Sequence, residues 1–257
     1  MNIAKNPSRG SYDLVGVGLY SVSEASRLTE IPTQRISRWL RGYAYVHNDE
    51  VHRQPALWSL QAKVSEGFVA LTFSDLMEIR FVDAFRHLGV SLPIIRKTLV
   101  KAREVFHLDF PFSSRRFSTD GKIIFAEIAK EENEPVLLDI LNDQYESRRL
   151  VSQSLYATLD FDESSQAARW WPLGKQRPIV VDPARSFGQP IEASSGIPTV
   201  TLADAAKAEG SISAAAAWYG VRQAAVRASV AFEAKLAARG SFLTITFHTD
   251  WRTRYIH

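Results

Sequence analysis

The chain has 257 residues, 46% hydrophobic and 23% charged, which is enough for one large domain or two to three small ones with a sizeable core. It contains no cysteine, so a disulfide framework, a thiolate zinc site and a cysteine nucleophile are excluded. The formal net charge is only +3, but residues 1–45 carry six basic side chains against three acidic ones, an excess equal to that of the whole chain. The basic field is therefore local to the front of the molecule.

Residues 1–19 read as a weakly basic, flexible arm, because Asn6-Pro7-Ser8-Arg9-Gly10 offers turn residues and no periodic apolar pattern. The first twenty residues lack the apolar run of a signal peptide, and no segment approaches the roughly 18 apolar residues of a membrane span. A cytoplasmic protein without a membrane anchor is the expectation.

Ser21 and Glu24 form an S-x-x-E capping box, which predicts a helix opening at Val22, with Val22, Ala25 and Leu28 on one face. Glu30-Ile31-Pro32 then predicts a turn and a second helix from about Thr33 to Arg41, stopped by Gly42. At 100° per residue, Ile36, Trp39 and Leu40 cluster on one side of it, with Gln34, Arg38 and Arg41 opposite and Arg35 and Ser37 on the flanks. Two short helices with an apolar anchor and an outward basic face are the layout of a helix-turn-helix that docks on DNA. Arginine pairs bidentately with a guanine edge, glutamine with an adenine edge, and either holds phosphate. The candidate DNA-binding residues are Thr33, Gln34, Arg35, Ser37, Arg38 and Arg41, and an ordinary solvated helix face is the alternative.

Tyr43 to Val69, with scattered aromatics and Asn48-Asp49 and Pro55 between them, predicts a twisted hairpin, or wing, where His52 and Arg53 could touch DNA backbone, a solvated loop being the equal alternative. At Leu71 the pattern turns helical: Thr72 and Asp75 make a second cap, and Leu76, Ile79, Val82, Phe85 and Leu88 recur every three residues until Gly89. Ser91 and Pro93 open a further helix with Ile95, Leu99 and Ala102 inside.

The order YSVSEASRLTEIPTQRISRWL, then LTFSDLMEIRFVDAFRHLGVSLPIIRK, resembles the DNA-binding half of the MerR-type regulators over roughly residues 20–103. In that family a helix pair is followed by a wing and an L-x-F-x-D-L-x-x-I-R segment with a G-V-S-L turn. Glu30 stands where the family's turn usually has glycine, and Pro32 where a serine cap is usual. The long coiled-coil helix and sensor pocket of MerR proteins are not recognisable downstream.

From Phe106 to Ile124 the expectation is strands, with Asp120-Gly121 as a hairpin turn. Residues 127–146 hold seven acidic side chains against Lys130 alone, and Val136, Leu137, Ile140, Leu141 and Tyr145 give that segment the buried side of a helix. No histidine is spaced with these carboxylates, so a solvated face is preferred over an acid-base or metal site. Trp170-Trp171-Pro172-Leu173-Gly174 reads as a loop and a boundary.

Beyond Pro178 the pattern is a short strand, a loop with Asp182-Pro183 and Gly188-x-Pro190, and three short helices making a helix-turn-helix-like module. Thr201 with Asp204 is the expected cap of the first helix and Ser213 of the second, while Val226, Val230 and Leu236 line the third. The ordering I-x-x-D-P, G-x-P-I, G-I-P-T, A-x-W-Y-G-V and V-x-x-x-V-x-F-E is similar to the small helical domain of prokaryotic antitoxins encoded beside PIN-fold toxins, over about residues 178–236. After Gly240 the tail SFLTITFHTDWRTRYIH alternates like a strand that could pair with a partner's sheet edge.

The expected fold is therefore mainly α with small β elements: a flexible arm (1–19), a MerR-like winged helix-turn-helix (20–105), a central β-hairpin, acidic helix and connector (106–177), a trihelical module (178–239) and a tail (240–257). As a whole the chain resembles a VapB-type antitoxin of the larger, two-domain kind. That resemblance implies a homodimer that binds operator DNA as an autorepressor and neutralises a PIN-type ribonuclease, by an arginine entering the toxin's acidic, magnesium-binding site. Arg239, Trp251, Arg252 and Arg254 are the toxin-binding candidates by position and composition alone. A stand-alone MerR-like transcription regulator is the alternative, and an enzyme using the acidic belt a third. No catalytic residue, metal site or cofactor is expected, since the six histidines lack metal spacing and neither a phosphate loop, a complete dinucleotide fingerprint nor a G-x-S-x-G elbow occurs.

Overall fold

The computed structural model of the chain describes residues 16–47, 49–60, 63–65, 68–132 and 153–245. It is mostly helical, with small β-sheets and a helix-turn-helix near the front. Strand β1 (Leu19–Ser21) runs directly into α1 (Val22–Thr29), and the predicted capping box is formed: the Ser21 hydroxyl accepts from Glu24 N–H at 3.1 Å while Glu24 Oε2 accepts from Ser21 N–H at 2.8 Å. Glu30 closes α1 in the left-handed region at φ 67°, so the chain reverses within two residues and α2 (Thr33–Arg41) starts after Pro32. Gly42, at φ 73°, ends α2 where the chain passes the far end of the following hairpin; a Cβ there would sit 2.3 Å from the Gln54 carbonyl oxygen. That close approach requires glycine.

The hairpin is antiparallel, β2 (Tyr43–His47) against β3 (Glu50–Gln54), with Tyr43 opposite Gln54 and His47 opposite Glu50. Its return strand is tied back by Leu57 N–H, which donates to Trp39 O at 2.8 Å, and by Trp58 Nε1, which donates to Asp75 at 2.7 Å. Strands β4 (Lys63–Ser65) and β5 (Phe68–Thr72) complete a three-stranded sheet in the order β1-β5-β4. The second capping box, Thr72 with Asp75, starts α3 (Phe73–His87); α4 (Leu92–Phe106) follows, with Pro93 in its first turn.

The expected central β-hairpin is absent. Residues Arg115–Glu131 form one helix, α5, capped by the Ser114 hydroxyl, and Asp120-Gly121 lies inside it. Phe117, Ile124, Phe125 and Ile128 are all buried, at positions i, i+7, i+8 and i+11 of a single helical face, and Gly121 occupies i+4 of that face. Gly121 makes room for the Phe117 ring, whose nearest atoms lie 2.5 Å from where a Cβ would stand. The Asp-Gly pair is thus a packing feature and not a turn. The Phe117 ring meets Phe112 at 4.8 Å, Phe125 at 5.8 Å and Phe85 at 6.0 Å, and the Phe81 ring continues the group at 6.4 Å from Phe85. The acidic segment is described only to Glu132; the rest of the proposed acidic helix lies outside the described residues.

A short helical segment at 153–157 leads into a second sheet of β6 (Leu159–Phe161), β7 (Ala167–Trp170), β8 (Ile179–Val181) and β9 (Pro190–Glu192), antiparallel and in that order. Trp170, expected in a loop, is instead a buried residue of β7, because its indole supplies a face on which the Arg80 guanidinium lies 4.1 Å from the ring centroid. Three helices follow: α6 (Thr199–Ala208), α7 (Ile212–Tyr219) and α8 (Gln223–Ile245). Two expected caps shift. Pro198 precedes α6, so Thr201 is already inside it, and Ser211 rather than Ser213 caps α7, accepting from Ala214 N–H at 3.1 Å. Residues 241–245 continue α8 as helix where an alternating strand was expected, and the remaining tail lies outside the described residues.

One apolar core joins front and rear, since Tyr20, Ile36 and Trp39 belong to the same buried cluster as Leu159, Ile179, Phe232 and Leu236. The Tyr20 hydroxyl donates to Gly188 O at 2.7 Å across 168 residues of sequence, and burial pushes that phenol well above its ordinary range. Leu202, Ala215, Ala216 and Val226 form a smaller separate cluster among α6, α7 and α8. No helix among the described residues is long and apolar enough to cross a membrane.

Candidate nucleic-acid interface

The second helix of the front pair is held by its apolar side. Ile36 is 0%, Trp39 3% and Leu40 5% exposed, packed in the main core with Leu28 and Ile31. Burial of a Trp, Ile and Leu from nine residues fixes the helix's rotation, so the other side must face outward. Gln34, Arg35, Arg38 and Arg41 are exposed, and Thr33 and Ser37 half-buried. All six sequence-predicted residues therefore lie on one short helix with three guanidinium groups and no carboxylate of its own.

The arginines are not equivalent. Arg35 Nη1 donates to Asp83 Oδ1 at 2.8 Å, and Asp83 also faces His87 Nδ1 at 3.2 Å, so α3 supplies the anion that aims Arg35. An exposed pair of this kind contributes about 0–1 kcal/mol to stability, so orientation is its larger effect. The Arg38 guanidinium lies 5.7 Å from the centroid of the Tyr43 ring, at the start of the hairpin. In the same hairpin the rings of Tyr45 and His52 stack at 5.2 Å, Arg53 is exposed, and Val46 and Val51 stand out at 68% and 63% exposure. At the hairpin's base, Arg96 from α4 donates to Pro55 O at 2.9 Å and so braces the hairpin's return against the helices. The contacts that Asp83 and Arg96 make are not visible in the sequence, because Arg35–Asp83 and Arg96–Pro55 span more than 40 residues, a distance that local periodicity does not register.

Two buried carboxylates set the frame behind this surface. Asp75 accepts from Trp58 Nε1 and from Thr72 N–H at 2.9 Å, yet burial still raises its pKa. Glu78 is fully buried and accepts from two successive amides, Phe112 N–H and Ser113 N–H, each at 3.0 Å; burial outweighs these bonds and pushes its pKa up to about 7. Both clamp loops to α3, on which Asp83 also stands. Among the described residues no group of three or more His, Asp or Glu side chains is placed to hold a metal ion.

Residues 18–99 match the family model described as "Putative DNA-binding HTH domain". Over 218 residues the chain is 26% identical to the "Putative antitoxin VapB45" of Mycobacterium tuberculosis strain ATCC 25618 / H37Rv, spanning 80% of this chain and 89% of that protein. The chain is similar to a VapB-type antitoxin carrying a helix-turn-helix. Its fold is also that of the crystal structure of Rv2018 from Mycobacterium tuberculosis, with a TM-score of 0.63 and 22% identity, covering 84% of this chain and 98% of that one. Antitoxins and DNA-binding helix-turn-helix domains are non-enzymatic families. Of the residues suggested for a toxin contact, Arg239 lies on the backbone of α8, while Trp251, Arg252 and Arg254 fall outside the described residues.

Proposed function

We propose that this chain is the antitoxin of a type II toxin-antitoxin pair, which binds and neutralises a PIN-type ribonuclease and binds operator DNA to repress its own synthesis. In this reading a MerR-like winged helix-turn-helix, residues 20–105, reads the operator. Two copies in a cytoplasmic homodimer address two half-sites. Gln34, Arg35, Arg38 and Arg41 supply base and phosphate contacts, Thr33 and Ser37 flank them, and the β2–β3 hairpin lies along the backbone as the wing. The toxin is met by the trihelical unit, residues 178–239, through its Arg239 end together with the tail residues Trp251, Arg252 and Arg254, which leaves the start of α8 free of it.

The observation that carries the DNA-binding half is the exposure of Gln34, Arg35, Arg38 and Arg41 opposite a buried Trp39. The antitoxin half is supported by the likeness to VapB45 over most of both chains. The test is co-expression with the ribonuclease encoded beside it: growth rescue and a co-purifying complex are expected. A ribonuclease that stays toxic and elutes alone would refute the antitoxin role.

A second reading, a stand-alone MerR-like regulator without a toxin, draws on a cavity of about 230 Å³. It lies between α1 and the rear of the molecule, lined by Glu24, Arg27, Leu28, Phe187, Val200 and Glu233 among others. That volume is below the roughly 300–1,000 Å³ of ordinary ligand pockets, so the reading requires an effector of only a few heavy atoms. Shift of operator affinity by a metabolite extract, with no change on adding the neighbouring ribonuclease, would favour it.

A further inference from the structure

Away from α2, a second pair of helices is built like a groove reader. α7 has eight residues and ends at Gly220, whose φ of 63° puts it in the left-handed region; Gly220, Val221 and Arg222 then turn the chain into α8. Val221 N–H donates to Ala216 O at 3.0 Å, closing the turn. Ala215, Ala216 and Val226 are buried against Leu202 of α6, and small alanines at the crossing let the two helices approach closely. A short helix, a three-residue turn containing glycine and a second helix locked from below are the parts of a helix-turn-helix.

With those positions turned inward, Arg222, Gln223, Ala224 and Arg227 are exposed at the start of α8, and Gln223 Nε2 donates to Ser213 Oγ at 3.3 Å. From residue 210 to residue 232 the chain carries Arg222 and Arg227 and no carboxylate. Arginine and glutamine at the leading end of the second helix repeat the inventory of α2, where Gln34 and Arg35 hold the same place. The one-signed charge favours a polyanion, whereas exposed Trp218, at 76%, is the residue type that anchors protein partners.

We propose that α7 and α8 form a second DNA-contacting helix-turn-helix, with Arg222 and Arg227 on phosphates and Gln223 at a groove edge. One chain then touches the duplex at two places. The proposal rests on the reading of the protein as DNA-binding, and the experiment separates the two.

Because the chain has no cysteine, single thiols can be placed at will. Full-length Gln34→Cys and Gln223→Cys variants, each carrying an iron-EDTA cleavage reagent, are bound to duplex covering the region upstream of the protein's own gene. Cutting from both probes, at separate positions, is expected. In parallel, Arg222→Ala/Arg227→Ala should reduce the slope of log affinity against log salt by about one to two, at about 0.9 for each phosphate no longer neutralised. Cutting from position 34 alone, with that slope unchanged, overturns the second reader and leaves the first intact. Failure of the unmodified protein to bind any of this DNA overturns both. Loss of ribonuclease capture by Arg222→Ala/Arg227→Ala, with DNA affinity unchanged, would give the face to a protein partner and also overturn the proposal.

Discussion

Glu30 occupies the turn between α1 and α2 with a left-handed backbone, φ 67°. For a residue with a Cβ that conformation is disfavoured by roughly 1–2 kcal/mol, whereas glycine adopts it freely. Glu30→Gly is therefore expected to raise stability by about 1 kcal/mol, measured as a shift in the urea midpoint with unchanged slope. An unchanged or lower midpoint would show that the Glu30 side chain contributes more than its backbone conformation costs. Trp39 works in the other direction. Removing a buried indole typically costs about 3–5 kcal/mol, so Trp39→Ala should lower the midpoint strongly and release the rotation of α2.

At the scale of elements, α5 and the Glu78 clamp organise the packing around α3 and the loop before α5. Gly→Ala within a helix ordinarily stabilises by up to about 1 kcal/mol, yet at Gly121 the added methyl would press on the Phe117 ring. We expect Gly121→Ala to destabilise by about 1–3 kcal/mol, in the range of overpacked cores. A stabilised variant would contradict the packing described. Glu78 gives the pH dependence. Its folded pKa, about 7, lies above the ordinary carboxylate value of 4.5, so between those pH values the folded state binds the extra proton. Stability should then be highest below that window and fall as pH rises through it, by roughly 3 kcal/mol. Glu78→Gln cannot titrate and should flatten that slope, while turning an amide toward one of two backbone donors and so lowering stability at every pH. A slope that survives the substitution would assign the titration elsewhere.

The same elements show how far the sequence could be read. Both capping boxes, α2 with its inward trio, and the hairpin after it are local patterns: each signal lies within a few residues, so each was legible. The helix at 115–131 was missed because an Asp-Gly pair outweighed the i, i+4, i+7, i+8 face running through it. Trp170 was missed because its partner, Arg80, is far away in the chain and nothing local announces a cation over an indole. At the interface the identity of the arginines was visible, but the aiming of Arg35 by Asp83 was not.

Considered as a whole, the front pair is not a detached head. Tyr20, next to the first cap, bonds to Gly188 in the rear, and α1 and α8 share the main core. The helix pair at the front is thus held to the rear by a shared core as well as by this bond. Tyr20→Phe removes one hydrogen bond and leaves Gly188 O unpaired, which should cost about 1–3 kcal/mol in thermal or denaturant unfolding. If front and rear were independent, that loss would appear as two separated transitions rather than one weakened, cooperative one.

The central claim, that α2 reads DNA with its outward arginines, is tested most directly by the salt dependence of binding to the duplex upstream of the protein's own gene. Fluorescence anisotropy of the unmodified chain and of Arg38→Ala/Arg41→Ala across a range of salt concentrations gives both affinity and slope. The account predicts weaker binding with a slope reduced by about two, since two phosphates go unneutralised at about 0.9 each. Equal affinity and an equal slope for the two proteins would contradict it.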